Sequence, residues 1–264
     1  MENAEERVAK FYNTVGWDSD GEITEDARRW EDLREHAKEY VSKCRLRVLR
    51  HIPDNGLNIL DMASGPIQYK EYLEFSRNFK RRYCVDLSKD ALEKAKKKIG
   101  DHGMFLHGSF FDIPLEENFF DCVISLHTIY HIDKDKQEEA VRKLVKVVKP
   151  GKPVIIVYNN PDSLDIRLVK FAKFLLKRNV KTKKTDDSVL YFASHAIKWW
   201  DRFKDVSEVK ILPWRSFNSH LQKRFFPDNN LGSYMFKILF KLEDNYPNFF
   251  AKYFTYPMII LTKK

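Results

Sequence analysis

The spacing of apolar positions changes several times along the chain, and each change marks an element. Around Glu5 to Asn13, and again from Glu25 to His51, apolar residues recur at helical spacing; in the longer stretch they are Trp30, Leu33, Ala37, Tyr40, Val41, Cys44 and Val48. Pro53-Asp54-Asn55-Gly56 ends that stretch with turn chemistry. Short β-rich runs then alternate with amphipathic ones. Strands are predicted at Leu57 to Met62, Arg82 to Leu87, Met104 to His107, Phe120 to Leu126 and Pro153 to Tyr158. Helices are predicted between them at about Tyr69 to Phe79, Lys89 to Ile99 and Lys134 to Val148, the last stopped by Pro150-Gly151. Such alternation predicts a parallel sheet covered by helices on both faces.

Beyond Tyr158 the pattern changes. Leu164 to Arg178 reads as an amphipathic helix, with Leu164, Leu168, Phe171 and Leu175 on one face and Arg167, Lys170, Lys173, Lys177 and Arg178 largely elsewhere. A polar run from Asn179 to Asp187 reads as an exposed loop. Tyr191 to Trp200, a strand at Val206 to Leu212, an aromatic-rich insertion from Trp214 to Tyr253 and a last strand at Tyr256 to Thr262 complete the chain.

Composition narrows the class. In 264 residues, 43% hydrophobic and 32% charged content describes a globular protein with one large domain or an embellished one. MENAEERVAK resembles neither a secretory signal nor a mitochondrial presequence, and no apolar run reaches the roughly 20 residues of a spanning helix. Cys44, Cys84 and Cys122 are odd in number and lack metal-ligand spacing, so neither a disulfide framework nor a metal site is expected, and the expected compartment is the cytoplasm.

Charge is unevenly divided. Residues 1 to 160 hold 27 Lys+Arg and 28 Asp+Glu, whereas residues 161 to 264 hold 20 and 10, a net of +10, along with 20 of the 37 aromatics. A basic, aromatic surface suits an anionic partner, and also simply keeps a protein soluble.

Two stretches carry candidate chemistry. In Ile59-Leu60-Asp61-Met62-Ala63-Ser64-Gly65-Pro66 an apolar strand runs into a small-residue turn, which lets backbone N–H groups approach a polar ligand. In Tyr83-Cys84-Val85-Asp86-Leu87-Ser88 a carboxylate ends the next strand 21 residues after Gly65, where it can accept hydrogen bonds from both ribose hydroxyls of an adenosine ligand. An Asp capping the following helix is the plainer reading of either residue taken singly, and Ser88 could cap equally well.

With later segments these stretches resemble the motifs of class I S-adenosylmethionine (SAM) dependent methyltransferases. Leu60 to Gly65 looks like their first motif, Asp86 like their ribose-binding acid, and Gly108-Ser109-Phe110-Phe111-Asp112-Ile113-Pro114 like the loop beside adenine. Phe119 to Ile132 is similar to their fourth motif, and Leu144 to Lys152 to the segment before their fifth strand. The subgroup most resembled is small-molecule methyltransferases of the ubiquinone-biosynthesis kind (methyltransferase type 11), whose Phe-Tyr-Asp segment is echoed by Phe11-Tyr12-Asn13. Two departures stand out: of the family's G-x-G-x-G only Gly65 remains in Ala63-Ser64-Gly65-Pro66-Ile67, and Ser109 stands where an Asp usually meets adenine.

The resemblance implies a Rossmann-like doubly wound α/β sheet of seven strands in the order 3-2-1-4-5-7-6, the last antiparallel. It implies a helical cap over residues 1–54, a SAM-binding core over 55–160, and substrate-lid insertions with the last two strands over 161–264. SAM as cofactor, with S-adenosylhomocysteine (SAH) as product and no metal, would be held by Tyr12, Asp61, Ala63, Ser64, Gly65, Asp86, Leu87, Ser109, Phe110 and Leu126.

Methyl transfer needs an aligned nucleophile, and a hydroxyl nucleophile benefits from a base. His127 and His131 follow the fourth strand, four residues apart on one predicted helical face; His127 is the first choice for a base, with Tyr130 and His195 as alternatives and a polar-wall or helix-packing role as the plainer reading of any single histidine. Trp17, Tyr191, His195, Trp199 and Arg215 are the expected substrate contacts, with Lys223 and Arg224 also available for phosphate. The expected reaction is methylation of a hydroxyl, or else an amine, on a small, anionic or sugar-like metabolite. A nucleic-acid methyltransferase is the rival, but Ser125-Leu126-His127-Thr128 is neither an Asn-Pro-Pro-aromatic nor a Pro-Cys motif. Peripheral membrane contact through residues 164 to 178, and a non-catalytic sensor of SAM or another nucleotide, are further alternatives.

Overall fold

Seven strands realise the alternation read from the sequence in a computed structural model that describes residues 4–17, 19–20, 23–168 and 190–264. They are β1 (Gly56–Met62), β2 (Phe79–Asp86), β3 (Gly103–His107), β4 (Cys122–Leu126), β5 (Pro153–Val157), β6 (Ser207–Arg215) and β7 (Tyr256–Lys263). Their spatial order is β3-β2-β1-β4-β5-β7-β6. β1 to β5 pair in parallel, and β7 runs antiparallel to both β5 and β6. This is the expected doubly wound α/β topology, so the carboxyl ends of β1, β2, β4, β5 and β6 and the start of β7 share one edge.

Alternate residues on the strands feed opposite faces, as a pleat requires. Leu60, Val123 and Ile156 join Leu144, Trp200 and Phe203 on one side. Ile59, Ile124 and Ile155 join Val48, Phe75 and Trp214 on the other. The first of these faces is covered by α5 (Gln137–Val147) and by a 3-10 stretch, Ile197–Asp205. Helix α4 (Lys89–Ile99) coincides with its predicted span because both ends are marked: the Ser88 hydroxyl accepts from the Ala91 N–H, and Gly100 leaves at φ 66°.

Other boundaries moved for identifiable reasons. Phe120 makes only an isolated bridge to Val148, and β4 begins at Cys122, because Asp121 turns its carboxylate to the N–H groups of Leu57 and Asn58 (2.8 and 3.1 Å) and to Lys149. The expected helix Tyr69 to Phe79 is a shorter 3-10 stretch, Lys70–Ser76, since Phe79 already belongs to β2 and lies where a side chain on Gly56 would be.

The single helix expected from Glu25 to His51 is three pieces: α2 (Glu25–Trp30), α3 (Glu35–Leu46) and a 3-10 turn, Arg47–His51. The break buries Glu31 and Asp32, which pair with Arg215 and Arg34 at 2.7 Å each, while Trp30 and Leu33 are exposed. Preceding α2 are α1 (Ala4–Phe11) and a π turn, Tyr12–Gly16.

The insertion before β7 forms α6 (Ser219–Phe225), α7 (Asn230–Asn245) and α8 (Pro247–Tyr253). Helix α3 packs on this insertion: Ala37, Tyr40, Val41 and Cys44 share a core with Phe226, Phe236, Leu239 and Phe250. Beneath it, the buried Glu243 accepts from Arg47 Nη1 (2.7 Å), the Tyr40 hydroxyl (2.7 Å) and the Ser216 N–H (3.0 Å). Of the predicted helix at 164 to 178, residues 164–168 are helical; its remainder and the loop at 179 to 187 lie outside the described residues. Among the described residues no helix is long and apolar enough to cross a membrane. All three cysteines are buried, Cys44 on α3, Cys84 on β2 and Cys122 on β4.

Candidate active site

A cavity of about 560 Å³ opens at the carboxyl edge of the sheet, within the size range of small-molecule sites. Its floor is the turn after β1. Ala63, Gly65 and Ile67 adopt φ of 57°, 55° and 50°, a left-handed conformation that suits glycine and strains alanine and, more so, a β-branched residue. The three positions are those of the three glycines in the motif that this turn resembles. Asp86, ending β2, ties this turn down: one carboxylate oxygen accepts from the Gly65 N–H and the other from the Ser88 N–H, both at 2.8 Å. Burial pushes the Asp86 carboxyl up to about 6 against the opposing pull of these N–H groups. Asp61 lies deeper, paired with Arg82, whose guanidinium also donates to the Tyr72 carbonyl. Burial raises the Asp61 carboxyl, and Arg82 opposes that rise.

The N-terminal segment forms one wall. Tyr12 stacks on Trp17 with ring centroids 4.6 Å apart, and Trp17 covers Gly65 so closely that a Cβ there would lie 2.9 Å from the indole. The Tyr12 hydroxyl is hydrogen-bonded to Asp26, which also accepts from the Gln68 amide at 3.3 Å. Burial, above all, raises the Asp26 carboxyl to about 6.

The opposite wall follows β4 and the end of β6. His127 is not helical: it leaves the strand at φ 60°, and a 3-10 turn, Ile129–His131, follows. The one-face argument for the two histidines therefore fails, yet the turn brings both to the cavity. His127 Nδ1 is 2.9 Å from the Tyr130 hydroxyl, and its ring meets Trp214 and Tyr256 edge-on. His131 Nδ1 is 2.6 Å from the Tyr191 carbonyl. A carbonyl only accepts, so Nδ1 carries the proton and Nε2 the lone pair. Burial depresses both histidines, His131 to about 4 and His127 well down with the added repulsion of Arg215. Arg215 itself is buried and donates to Glu31 at 2.7 Å.

Of the residues expected at the site, Tyr12, Trp17, Asp61, Ala63, Ser64, Gly65, Asp86, Leu87, Phe110, Leu126, His127, Tyr130, His131 and Arg215 line this cavity. Ser109, Tyr191, His195 and Trp199 are not among its described lining residues. The Ser109 hydroxyl donates to Glu5, which does line it. Tyr191 contributes its carbonyl to His131 and its hydroxyl to the Lys134 N–H. His195 stacks flat on Trp199, with Nε2 at the Lys134 carbonyl. Lys223 and Arg224 are exposed on α6 and are not among the described residues lining the cavity.

Sequence reading missed Asp26, Glu31, Gln68, Asn159 and Tyr256. Tyr256 had a usable signal. An antiparallel last strand must start at the edge where parallel strands end, and Tyr256 pairs with Arg215. The others carry no local mark.

Residues 60–156 match the family model described as "Methyltransferase domain". An uncharacterized methyltransferase of Geobacillus sp. (strain WCH70) is 26% identical over 73 residues, 28% of this chain and 34% of that one. Another, of Geobacillus thermodenitrificans (strain NG80-2), is 23% identical over 111 residues, 41% of this chain and 50% of that one. The chain thus spans between a third and a half of these curated relatives' length.

Among solved structures the DhpI–SAH complex superposes with a TM-score of 0.59 at 12% identity, covering 100% of this chain and 98% of that one. Magnesium protoporphyrin IX methyltransferase of Synechocystis PCC 6803 with bound SAH gives 0.56 at 12%, covering 99% and 100%. A SAM dependent methyltransferase of Archaeoglobus fulgidus gives 0.54 at 15%, covering 86% and 94%. Residues 60–156 are therefore similar to a methyltransferase domain, and the whole chain shares its fold with these solved structures.

Proposed function

We propose that the protein transfers a methyl group from SAM to a hydroxyl of a small, neutral, sugar-like molecule. The observation that carries this reading is that a strand-end carboxylate at a tight turn, Asp86, shares one cavity with two uncharged histidines. The donor site fits: Asp86 has oxygen lone pairs beyond the two engaged by backbone, enough for ribose hydroxyls. When bound, SAM supplies an electrophilic methyl group on a sulfonium.

Residues 1–54 cap this site, 55–160 hold the donor, and 161–264 shape the acceptor side in this reading. His131 is the base we favour over His127, because its proton is committed to the Tyr191 carbonyl and Nε2 is left to accept. A depressed pKa suits this role. An alcohol oxygen becomes strongly acidic as it gains a methyl group, so a weak, neutral base suffices to take its proton. The His127–Tyr130 pair can orient the hydroxyl, and the aromatic rings packed around it shield that spot from water. The anionic acceptor expected earlier is set aside: Arg215 is the only Lys or Arg among the described lining residues, and it is engaged by Glu31.

Calorimetry with SAM and SAH tests the donor half; absence of binding to both would overturn it. A screen of sugars, nucleotide sugars, phenolics and amines for SAM-dependent mass gain tests the acceptor half, and turnover confined to amines would refute a hydroxyl acceptor.

A further inference from the structure

A helix on a protein surface needs one apolar stripe, the one that meets the core. Helix α7 has two. Its inward stripe, with Phe236 and Leu239 at its centre, shares a core with α3. On its outer side Leu231, Tyr234, Ile238 and Leu242 recur at helical spacing and are 59%, 61%, 41% and 39% exposed. The row runs about 16 Å along the helix axis, and Tyr246 and Phe249, exposed as well, follow it at the turn into α8. In α1, α3, α4 and α5, by contrast, every exposed position is a Lys, Asp or Glu. Single exposed apolar residues are ordinary, whereas a row of them marks an interaction surface.

Charge identifies the occupant. Lys237 and Lys241 are exposed on α7 between members of the row, and α6 and α8 add exposed Lys223, Arg224 and Lys252. The acids of the insertion are Asp228, Glu243 and Asp244; Glu243 is buried, and Asp244 already pairs with Arg47 and Arg50. Glu39 of α3 lies 3.7 Å from Lys237, but both side chains are more than half exposed, and so solvated a pair does little to cancel the lysine. An apolar row bordered by lysines and flanked by tyrosine suits the boundary of an anionic bilayer, where acyl chains, headgroups and phosphates follow one another in depth. The row is a ridge on a convex helix, and a ridge sinks into lipid without a matching groove. A second copy fits less well, because two-fold pairing along the row sets Lys237 and Lys241 against the same lysines of the other copy.

We propose that α7 seats the protein on an anionic lipid bilayer, with Leu231, Tyr234, Ile238 and Leu242 entering the headgroup boundary and Lys237 and Lys241 at the level of the phosphates. This surface is distinct from residues 164 to 178, the segment whose sequence suggested membrane contact, and it holds whether or not the acceptor is a hydroxyl. Helix α6, joined to α7 through Phe226 to Asn229, carries Ser219 and His220 of the cavity lining. The docking element and part of the cavity wall therefore belong to one helical unit.

Co-sedimentation of the full chain with phosphatidylcholine vesicles, plain or containing about a third phosphatidylserine, tests the assignment. Wild type is expected to bind the anionic vesicles at least about ten-fold more tightly than the neutral ones. Lys237→Gln/Lys241→Gln is expected to weaken that binding on the order of twenty-fold, from about five-fold per lysine near a charged surface. Ile238→Gln/Leu242→Gln, which leaves every charge in place, is expected to weaken it at least about ten-fold. All four changes are at exposed positions and bring in a good helix former, so the fold is retained. The control is Lys96→Gln/Lys97→Gln on α4, which removes the same charge elsewhere and is expected to stay within about two-fold of wild type. An equal loss in the α4 control, or full binding by the Ile238/Leu242 variant, would overturn the proposal and mean that a basic protein merely adsorbs to anionic lipid. No binding of wild type to the anionic vesicles would overturn it as well. If, in addition, light scattering then showed a dimer that the Ile238/Leu242 variant abolishes, the occupant of the row would be a second copy.

Discussion

The parallel part of the sheet and the helical unit made by α3, α7 and α8 both bury carboxylates, but they satisfy them over very different distances along the chain. In the sheet, Asp86 takes N–H groups 2 and 21 residues away, and Asp61 pairs with Arg82 on the neighbouring strand. In the helical unit, Glu243 takes Arg47 and Tyr40, 196 and 203 residues away. The first arrangement follows from adjacent strands. The second exists only once α3 has docked on the insertion, so these two hold each other in place while the Gly65 turn is held by its own neighbourhood.

Breaking that coupling should produce the largest effect. Glu243→Ala leaves the buried Arg47 guanidinium facing one partly exposed carboxylate, Asp244, and is expected to destabilise the protein by about 3–5 kcal/mol. Chemical denaturation measures this, and a loss below about 1 kcal/mol would show that the two elements are not coupled through Glu243.

A change confined to the wall that carries His127 and His131 should separate chemistry from stability. His131→Ala is expected to lower kcat about 10²–10⁴-fold on whatever acceptor the screen identifies, with SAH affinity nearly unchanged. Turnover within a few-fold of wild type would reassign the base.

The smallest effect sharpens the other side of the comparison. Ala63→Gly relieves a left-handed alanine in the donor turn and is expected to add about 1 kcal/mol of stability, or roughly 2–4 °C in Tm. A lower Tm would mean that the turn is not strained at Ala63.

The same contrast explains what could be read from sequence. Strand positions came through because a period of two, Gly/Pro punctuation and an acid at a strand end are local features, and Asp86 was found that way. The break at Glu31 was not legible. Apolar residues run at helical spacing through Trp30, Leu33 and Ala37, while the cause of the break is Arg215, 184 residues away. His127 and His131 were found through a spacing that supposed a helix; a left-handed residue and a tight turn deliver them instead. Asp26 left no trace, since an acid in the first turn of a helix is ordinarily a capping residue, and only the fold turns this one inward.

The three buried thiols give this division an experimental handle. Burial raises each of them, Cys84 to about 12, so none forms the thiolate that alkylating or oxidising reagents attack at neutral pH. Cys44 sits inside the helical unit, whereas Cys84 and Cys122 sit in the sheet. Each thiol can react only when its own surroundings open. The chain therefore carries built-in clocks, and residue-resolved alkylation rates in native buffer would time the undocking of α3 from the insertion separately from the opening of the sheet.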